Sequence, residues 1–565
     1  MKLLAVLLAA VCASGATAQT APIVDDGTCV WNLVNVQCEP HQYCSYQYRF
    51  GDFTLTQSCR VRPDVNVPAQ PSPPKVIDDD TCVWNYGQVG CEPTSLCSYQ
   101  YRLGDLTLGQ SCRVRPGVHK HPQQIHLAFA GNSTGTAMTI SWATFAEVKE
   151  STVRIGTSRE SLKIRSDVKI TTHSYFSDDF YMLYQHHATV TGLQPNTKYY
   201  YQIGSEHDDN FLSEIGSFTT ARAAKDDTPF EMAVYGDHGV GLKGEIMATT
   251  GYLNTIADRL ALIYHVGDIA YADNDFLLVG KTLGFFYEEI YNKWMNAMAT
   301  VMSKVPYMVT VGNHEAECHS PACQVSNYKK DRLGNYQAYN ARFKMPSAES
   351  GGVKNMWYSF EYGPIHFTSI SSETDFPDHP ANQHLVADNR KYGNFGNQLA
   401  WLEADLKKAA ANRANVPWLI VGMHRPIYHL SQSDTSGAPI SEALTIQKAF
   451  EELFIKYNVD LVIAGHEHSY ERHLPILRNK PILDGVSADK KIYSNPKAPV
   501  YIVSGAAGNP EENHGTGKGG QVPWNVVEKA EYAITLVKVT RNELALKHVT
   551  SGDERVLDEF TIKKA

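Results

Sequence analysis

The chain has 565 residues, 43% of them hydrophobic and 20% charged, with a formal net charge of −9. That length suits three or four domains at roughly 150 residues each, and the composition is that of ordinary globular protein. The acidic balance and the lack of a basic run exclude a nucleic-acid scaffold; no stretch reaches the ~20 consecutive apolar residues of a membrane span.

At the N-terminus Lys2 precedes an apolar run, Leu3 to Ala13, and Ala16-Thr17-Ala18 offers a small-x-small cleavage site. Residues 1–18 therefore read as a secretory signal peptide. The last residues, Thr561-Ile562-Lys563-Lys564-Ala565, form no hydrophobic tail for a lipid-anchor signal. The expected product is soluble, secreted and extracellular. Of eleven Cys, Cys12 leaves with the leader, and the even number that remains agrees with an oxidising compartment. Asn132-Ser133-Thr134 is a glycosylation acceptor, with Asn132 the candidate site.

A repeat follows. Cys29, Cys38, Cys44 and Cys59 recur as Cys82, Cys91, Cys97 and Cys112 at a constant offset of 53, and Cys44-Ser45-Tyr46-Gln47-Tyr48-Arg49 recurs as Cys97-Ser98-Tyr99-Gln100-Tyr101-Arg102. The modules span 27–63 and 80–116, joined by a Pro-rich, semi-rigid spacer at 64–79. At that size an apolar core alone is marginal, so disulfides are expected to stabilise each module. Four Cys allow three connectivities, and sequence does not choose among them. Trp31, Tyr46, Tyr48 and their repeats either build small cores or stack on sugar rings, which would make the pair a polysaccharide- or cell-wall-binding appendage.

From 119 to 222 the pattern is all-β. Met138, Ile140 and Trp142 alternate with polar residues, and short strands recur around Thr152–Ile155, His187–Val190 and Thr197–Gly204. That spacing fits a β-sandwich of fibronectin type III character. From 229 to 565 apolar strands alternate with helical stretches, the α/β texture.

Five of these strands end in polar residues. Phe230 to Tyr235 leads to Gly236-Asp237, and Leu260 to Val266 leads to Gly267-Asp268-Ile269-Ala270-Tyr271. Val305 to Val311 leads to Gly312-Asn313-His314-Glu315, Trp418 to Gly422 leads to Met423-His424, and Leu461 to Ala464 leads to Gly465-His466-Glu467-His468. Ligands bind at the carboxyl ends of such strands. Asp237, Asp268, Tyr271, Asn313, His424, His466 and His468 are more ligands than one metal needs and suit two cations bridged by a carboxylate. Cys318 and Cys323, just beyond the third strand end, are a candidate disulfide closing a short loop.

With these motifs in this order, the chain resembles the purple acid phosphatases, a branch of the metallophosphoesterases. That family carries Asp-x-Gly, Gly-Asp-x-x-Tyr, Gly-Asn-His-Glu/Asp, Val-x-x-His and Gly-His-x-His, and all five stand here, the fourth as Val421-Gly422-Met423-His424. The resemblance covers about 119–565 and leaves the Cys-rich modules outside. Behind the two small disulfide-rich modules read from the cysteine repeat, it implies a fibronectin type III-like sandwich and an α/β metallophosphoesterase sandwich domain. It also divides the ligands: Asp237, Tyr271 and His468 for Fe(III), Asn313, His424 and His466 for one divalent ion (Zn, Fe or Mn), with Asp268 bridging. Hard phenolate and carboxylate donors suit ferric iron, and imidazole suits the divalent ion. Many other metallophosphoesterases have a histidine where this chain has Gly239; here Tyr271 serves instead.

The implied reaction is hydrolysis of phosphate monoesters by attack of metal-bound hydroxide. His314 is the candidate for contacting the phosphoryl oxygens or protonating the leaving alkoxide. Some relatives carry substrate-facing histidines about ten residues after the Val-x-x-His ligand; here that stretch reads Ser431-Gln432-Ser433-Asp434, with His429 nearer. A phytase or phosphodiesterase on the same site is the alternative enzyme, separable by a substrate panel. An inactive cell-wall or carbohydrate-binding protein is the non-enzymatic alternative, against which the complete ligand set stands.

Overall fold

Residues 123–219 form two four-stranded sheets, because their apolar residues alternate and short polar turns separate the runs. One sheet orders Ile170–Tyr175, Leu183–Thr191, Ala137–Thr144 and Gln123–Ala130; the other orders Lys163–Ile164, Ser151–Gly156, Lys198–Ser205 and Gly216–Thr219. Met138, Ile140 and Trp142 enter a core shared with Val153, Ile155, Tyr201, Ile203 and Phe218. The computed structural model describes residues 120–131, 135–148, 150–175, 183–240, 246–273, 287–316, 327–380 and 392–565, together with short strands between Thr28 and Val114. Residues 1–18, expected to be a signal peptide, together with Asn132, Cys318, Cys323 and the side chains of the Cys-rich modules, lie outside the described residues. The backbone of the two repeats pairs alike, with Cys44 opposite Cys59 and Cys97 opposite Cys112.

Thr139 and Ser141, on the other face of the first sandwich sheet, are buried too. That face packs on the α/β domain through histidines. Ser141 Oγ donates to Nδ1 of His187 (2.8 Å), and His187 Nε2 and His173 Nε2 each donate to the carbonyl of Ala341 (3.1 Å). His126 Nε2 meets the carbonyl of Arg342 at 2.9 Å.

The α/β domain has two sheets. Strands β1 (Phe230–Tyr235), β2 (Leu260–His265) and β3 (Tyr307–Val309) lie parallel in the first, in the order β3-β2-β1. Ala533–Val539 continues it antiparallel to β1, followed by Glu543–Thr550, Val556–Lys563 and Ile492–Ser494. Strands β4 (Trp418–Gly422) and β5 (Leu461–Ala464) are parallel neighbours in the second sheet, flanked by Ile365–Ser369 and Val500–Ser504. Trp418, Ile420, Leu461 and Ile463 turn into the core between the sheets. Leu419, Val421, Val462 and Ala464 turn the other way, onto Leu402 and Leu406 of helix α1 (Gln398–Ala411) and Phe450 and Phe454 of helix α2 (Ser441–Lys456). Both faces are covered, so these strands read as continuous apolar runs. Asn397 caps α1, its Oδ1 accepting the N–H of Ala400 at 3.0 Å. Among the described residues no helix is long and apolar enough to cross a membrane.

The histidine-lined joint has a pH signature. Burial lowers His126 from 6.5 to about 4 and holds His187 well below 6.5, with His126 and His173 adding to the effect on His187. Folding therefore favours the neutral rings: their stability is present above pH 6.5 and is lost as the pH falls towards 4, at up to about 1.4 kcal/mol per pH unit for each group. Thermal unfolding followed from pH 7 to pH 5 is expected to show a falling melting temperature, and His187→Asn to make that fall shallower.

Candidate metal centre

The five strand ends meet at one place although they come from two sheets. β1, β2 and β3 deliver Asp237, Asp268 with Tyr271, and Asn313; β4 and β5 deliver His424, and His466 with His468. Tyr271 Oη lies 3.2 Å from Oδ1 of Asp237, 3.4 Å from Oδ2 of Asp268 and 3.0 Å from Nε2 of His468. His424 Nε2 lies 3.0 Å from Oδ1 of Asn313 and 3.1 Å from Oδ2 of Asp268. Asp268, His424 and His466 each offer a ligand atom, all within 4.8 Å of one another. The structure thus gathers all seven residues into one contiguous cluster.

The backbone is bent hard to do this. Asp237 (φ 61°), Asp268 (54°), Tyr271 (52°) and His466 (72°) all sit in the left-handed region, which costs a non-glycine residue about 1–2 kcal/mol. Such strain persists where the surrounding structure over-determines it, characteristically at functional sites. Close approach sets two glycines. A Cβ on Gly312 would lie 2.2 Å from Oδ1 of Asp268; one on Gly239 would lie 2.8 Å from Pro510 and 3.4 Å from the ring of Tyr271. At Gly239 a histidine would collide with the segment that Tyr271 packs beside.

Two of the histidines have their tautomer set by a backbone carbonyl. His424 Nδ1 donates to Val266 O (2.8 Å), and His468 Nδ1 donates to Glu512 O (3.2 Å). In each, Nε2 is left as the nitrogen facing the carboxylates, the arrangement that metal-ligating histidines need. His466 Nε2 accepts from Nη1 of Arg425 at 3.0 Å. Arg425 is buried and held by Glu373 (2.9 Å) and Glu442 (2.6 Å).

Two carboxylates are buried here, and among the described residues neither has a Lys or Arg ion pair. Burial pushes Asp237 well above the usual carboxylate range, and neighbouring Asp268 adds to it. Burial opposes ionisation of Asp268 as well, yet His424 and then His314 hold it well below that range. Tyr271 is driven well above its ordinary value by burial, then by Asp237 and Asp268. A pair of cations answers this imbalance, and carboxylate, phenol, amide and imidazole donors are a fitting set.

His314 stands beside the cluster with Nδ1 2.9 Å from Oδ2 of Asp273 and its ring centroid 4.2 Å from that of Tyr271. Burial would lower its pKa, but Asp273 and then Asp268 raise it to about 10. His429 makes its contacts outside the seven through Nδ1, which meets Oε1 of Glu467 at 2.9 Å and Oγ of Ser431 at 2.9 Å. Glu467 therefore points to His429 and not into the cluster; burial opposes its ionisation, but His429 holds it down at about 2.

Similarity to known proteins agrees with this geometry. Residues 122–220 match the purple acid phosphatase N-terminal domain, 231–470 the calcineurin-like phosphoesterases, and 498–559 the C-terminal region of iron/zinc purple acid phosphatase-like proteins. Acid phosphatase A of Cryphonectria parasitica is 31% identical over 494 residues, covering 79% of this chain and 92% of that protein. The chain belongs to the purple acid phosphatase family. This phosphatase is also 32% identical to mouse (Mus musculus) acid phosphatase type 7 over 457 residues, 79% of this chain and 91% of that one. A purple acid phosphatase from yellow lupin (Lupinus luteus) seeds shares its fold, with a TM-score of 0.61 at 20% identity over 82% of this chain and 81% of that chain. The phosphatase is thus a metallophosphoesterase, and the family implies a dinuclear metal centre.

Residues outside the seven support the phosphatase site. Glu315 accepts the N–H groups of Asp268 (2.9 Å), Ile269 (2.7 Å) and Gly312 (2.7 Å), tying the ends of β2 and β3 together. Its place in Gly-Asn-His-Glu was the available signal. Asp273 lies two residues after Tyr271, which gave a hint; Arg425, Glu373 and Glu511 gave none, since their partners are remote in sequence. Gly312→Ala is expected to displace Asp268 and lower metal affinity by about 10–100-fold, read as metal content of the purified protein by elemental analysis.

Proposed function

We propose that this phosphatase is secreted and hydrolyses phosphate monoesters at a centre of Fe(III) and one divalent ion, Zn, Fe or Mn. The observation that carries the reading is the two-lobed donor cluster. Asp237, Tyr271 and His468 form one lobe, Asn313, His424 and His466 the other, and Asp268 touches Tyr271 on one side and His424 on the other. That is the arrangement a bridging carboxylate requires. Neutralisation of the phosphate dianion and a water acidified enough to attack at low pH are the chemistry that two cations supply there when bound.

The chain's own residues do the rest. His424 and His468 present Nε2 because Val266 O and Glu512 O hold their other nitrogens. His314 holds a proton: Asp273 fixes Nδ1–H, and Nε2–H is directed towards the cluster, 3.9 Å from Oδ2 of Asp268. From there it donates to a phosphoryl oxygen or to the departing alkoxide. Asp237, Asp268, Tyr271, His424 and His468 are buried, which limits bulk water around them and strengthens these interactions, while Asn313 and His466 are half-buried.

His314→Ala is expected to keep both metals and to lose about 10²–10⁴-fold in turnover; unchanged turnover removes the role. Elemental analysis with a visible spectrum tests the centre itself. Iron, one divalent ion and a tyrosinate absorption band are expected, and Tyr271→Phe is expected to abolish the band. Protein that is active with no iron would refute the ferric assignment.

A further inference from the structure

The geometry points to Glu511 as a specificity-determining residue, one that selects against phosphate esters whose leaving group carries further negative charge. This rests on the monoester reading above.

Val500–Ser504 pairs with β5, and the segment that follows it brings Glu511 to the centre. Its carboxylate spans two imidazoles: Oε1 lies 3.7 Å from Nε2 of His314 and Oε2 lies 3.9 Å from Nε2 of His468. The side chain is 36% exposed while His314 and His468 are nearly buried, so Glu511 stands at the boundary between centre and solvent.

The backbone of this loop is held in place. Buried Asn509 accepts the N–H of Glu511 on Oδ1 (2.9 Å) and that of Glu512 on its carbonyl (3.3 Å). Gly508 O accepts the N–H of Gly239 (2.8 Å) beside the first strand end. On the far side Glu512 O takes the Nδ1 proton of His468 (3.2 Å), and the N–H of His514 donates to His468 O (3.1 Å). The backbone on both flanks of Glu511 is therefore pinned to residues of the centre, which places its carboxylate between the two imidazoles.

If His314 donates to the departing oxygen, as the monoester reading allows, the leaving group lies on the side of Glu511, because Oε1 of Glu511 is 3.7 Å from Nε2 of His314. The charge of the reacting phosphoryl group is common to every substrate and cancels from a comparison. A second anionic group on the leaving side meets a fixed like charge, which sites use for exclusion. Alcohols, phenols and amino alcohols meet none, and a cationic group gains a partner. The substrate class this fits is the monoester with a neutral or cationic leaving group.

The test compares kcat/KM of the full-length, metal-loaded protein and its Glu511→Gln and Glu511→Ala variants at about pH 6, above the ordinary carboxylate range. The substrates are p-nitrophenyl phosphate, phosphoethanolamine, inorganic pyrophosphate and a sugar bisphosphate. The variants are expected to raise kcat/KM for the two polyanions relative to p-nitrophenyl phosphate by about tenfold, mostly through KM. The gain should shrink in high salt, and the preference for phosphoethanolamine should fall. An unchanged ratio, or an equal loss on all four substrates, overturns the assignment. Loss of a metal ion from Glu511→Gln also overturns it, making Glu511 a ligand. Wild-type protein that hydrolyses pyrophosphate but no monoester overturns both this assignment and the monoester reading, whereas an unchanged ratio in an active monoesterase overturns only the former.

Discussion

Two carboxylates buried at the join of two sheets are the constraint on which the rest depends. Asp237 and Asp268 are 0% and 1% exposed, and no guanidinium or ammonium among the described residues pairs with them. A buried ion costs several kcal/mol even after relaxation; His424 and His314 offset that cost for Asp268, whereas burial and Asp268 leave Asp237 pushed up. Phenol, amide and imidazole groups converge on the same spot. Glu315, Asp273 and Arg425 each hold a neighbouring group of the cluster: the N–H of Asp268, Nδ1 of His314 and Nε2 of His466.

Bringing five chain segments to one point requires turns that L-residues resist. Four of the seven cluster residues have positive φ, and Gly312 leaves no room for a side chain against Asp268. The strain is carried by packing below it. Trp418, Ile420, Leu461 and Ile463 fill the space between the sheets, and Phe450 and Phe454 cover the outer face. A close-packed interior of this kind is stiff, so the strand ends stay where the cluster needs them. The same stiffness extends to the loop of Glu511, which is fastened to His468 and Gly239 by its backbone.

Several features were legible from residue order alone. Met138, Ile140 and Trp142 alternate because a strand has period two, and they enter a core. The continuous apolar runs before Asp237, Asp268, His424 and His466 marked strands, and strands stand there. The ligand candidates were legible because each follows a strand end, where a side chain escapes the sheet's packing. The distribution of the five strands between two sheets was not legible, since parallel strands of either sheet share one apolar signature.

Residue types and their order along the chain therefore determined which donors were available, which strands would be buried, and the family to which the phosphatase belongs. Tertiary structure alone decided which nitrogen of His424 and His468 faces the carboxylates, that Asp273 fixes His314, that Glu467 turns to His429, and that Glu511 reaches the centre from more than 40 residues beyond His468. The physical reason is the same in each case. A hydrogen bond or charge contact depends on distance in space to within tenths of an ångström, and the partners are brought to that distance by packing between segments whose separation in sequence carries no record of it.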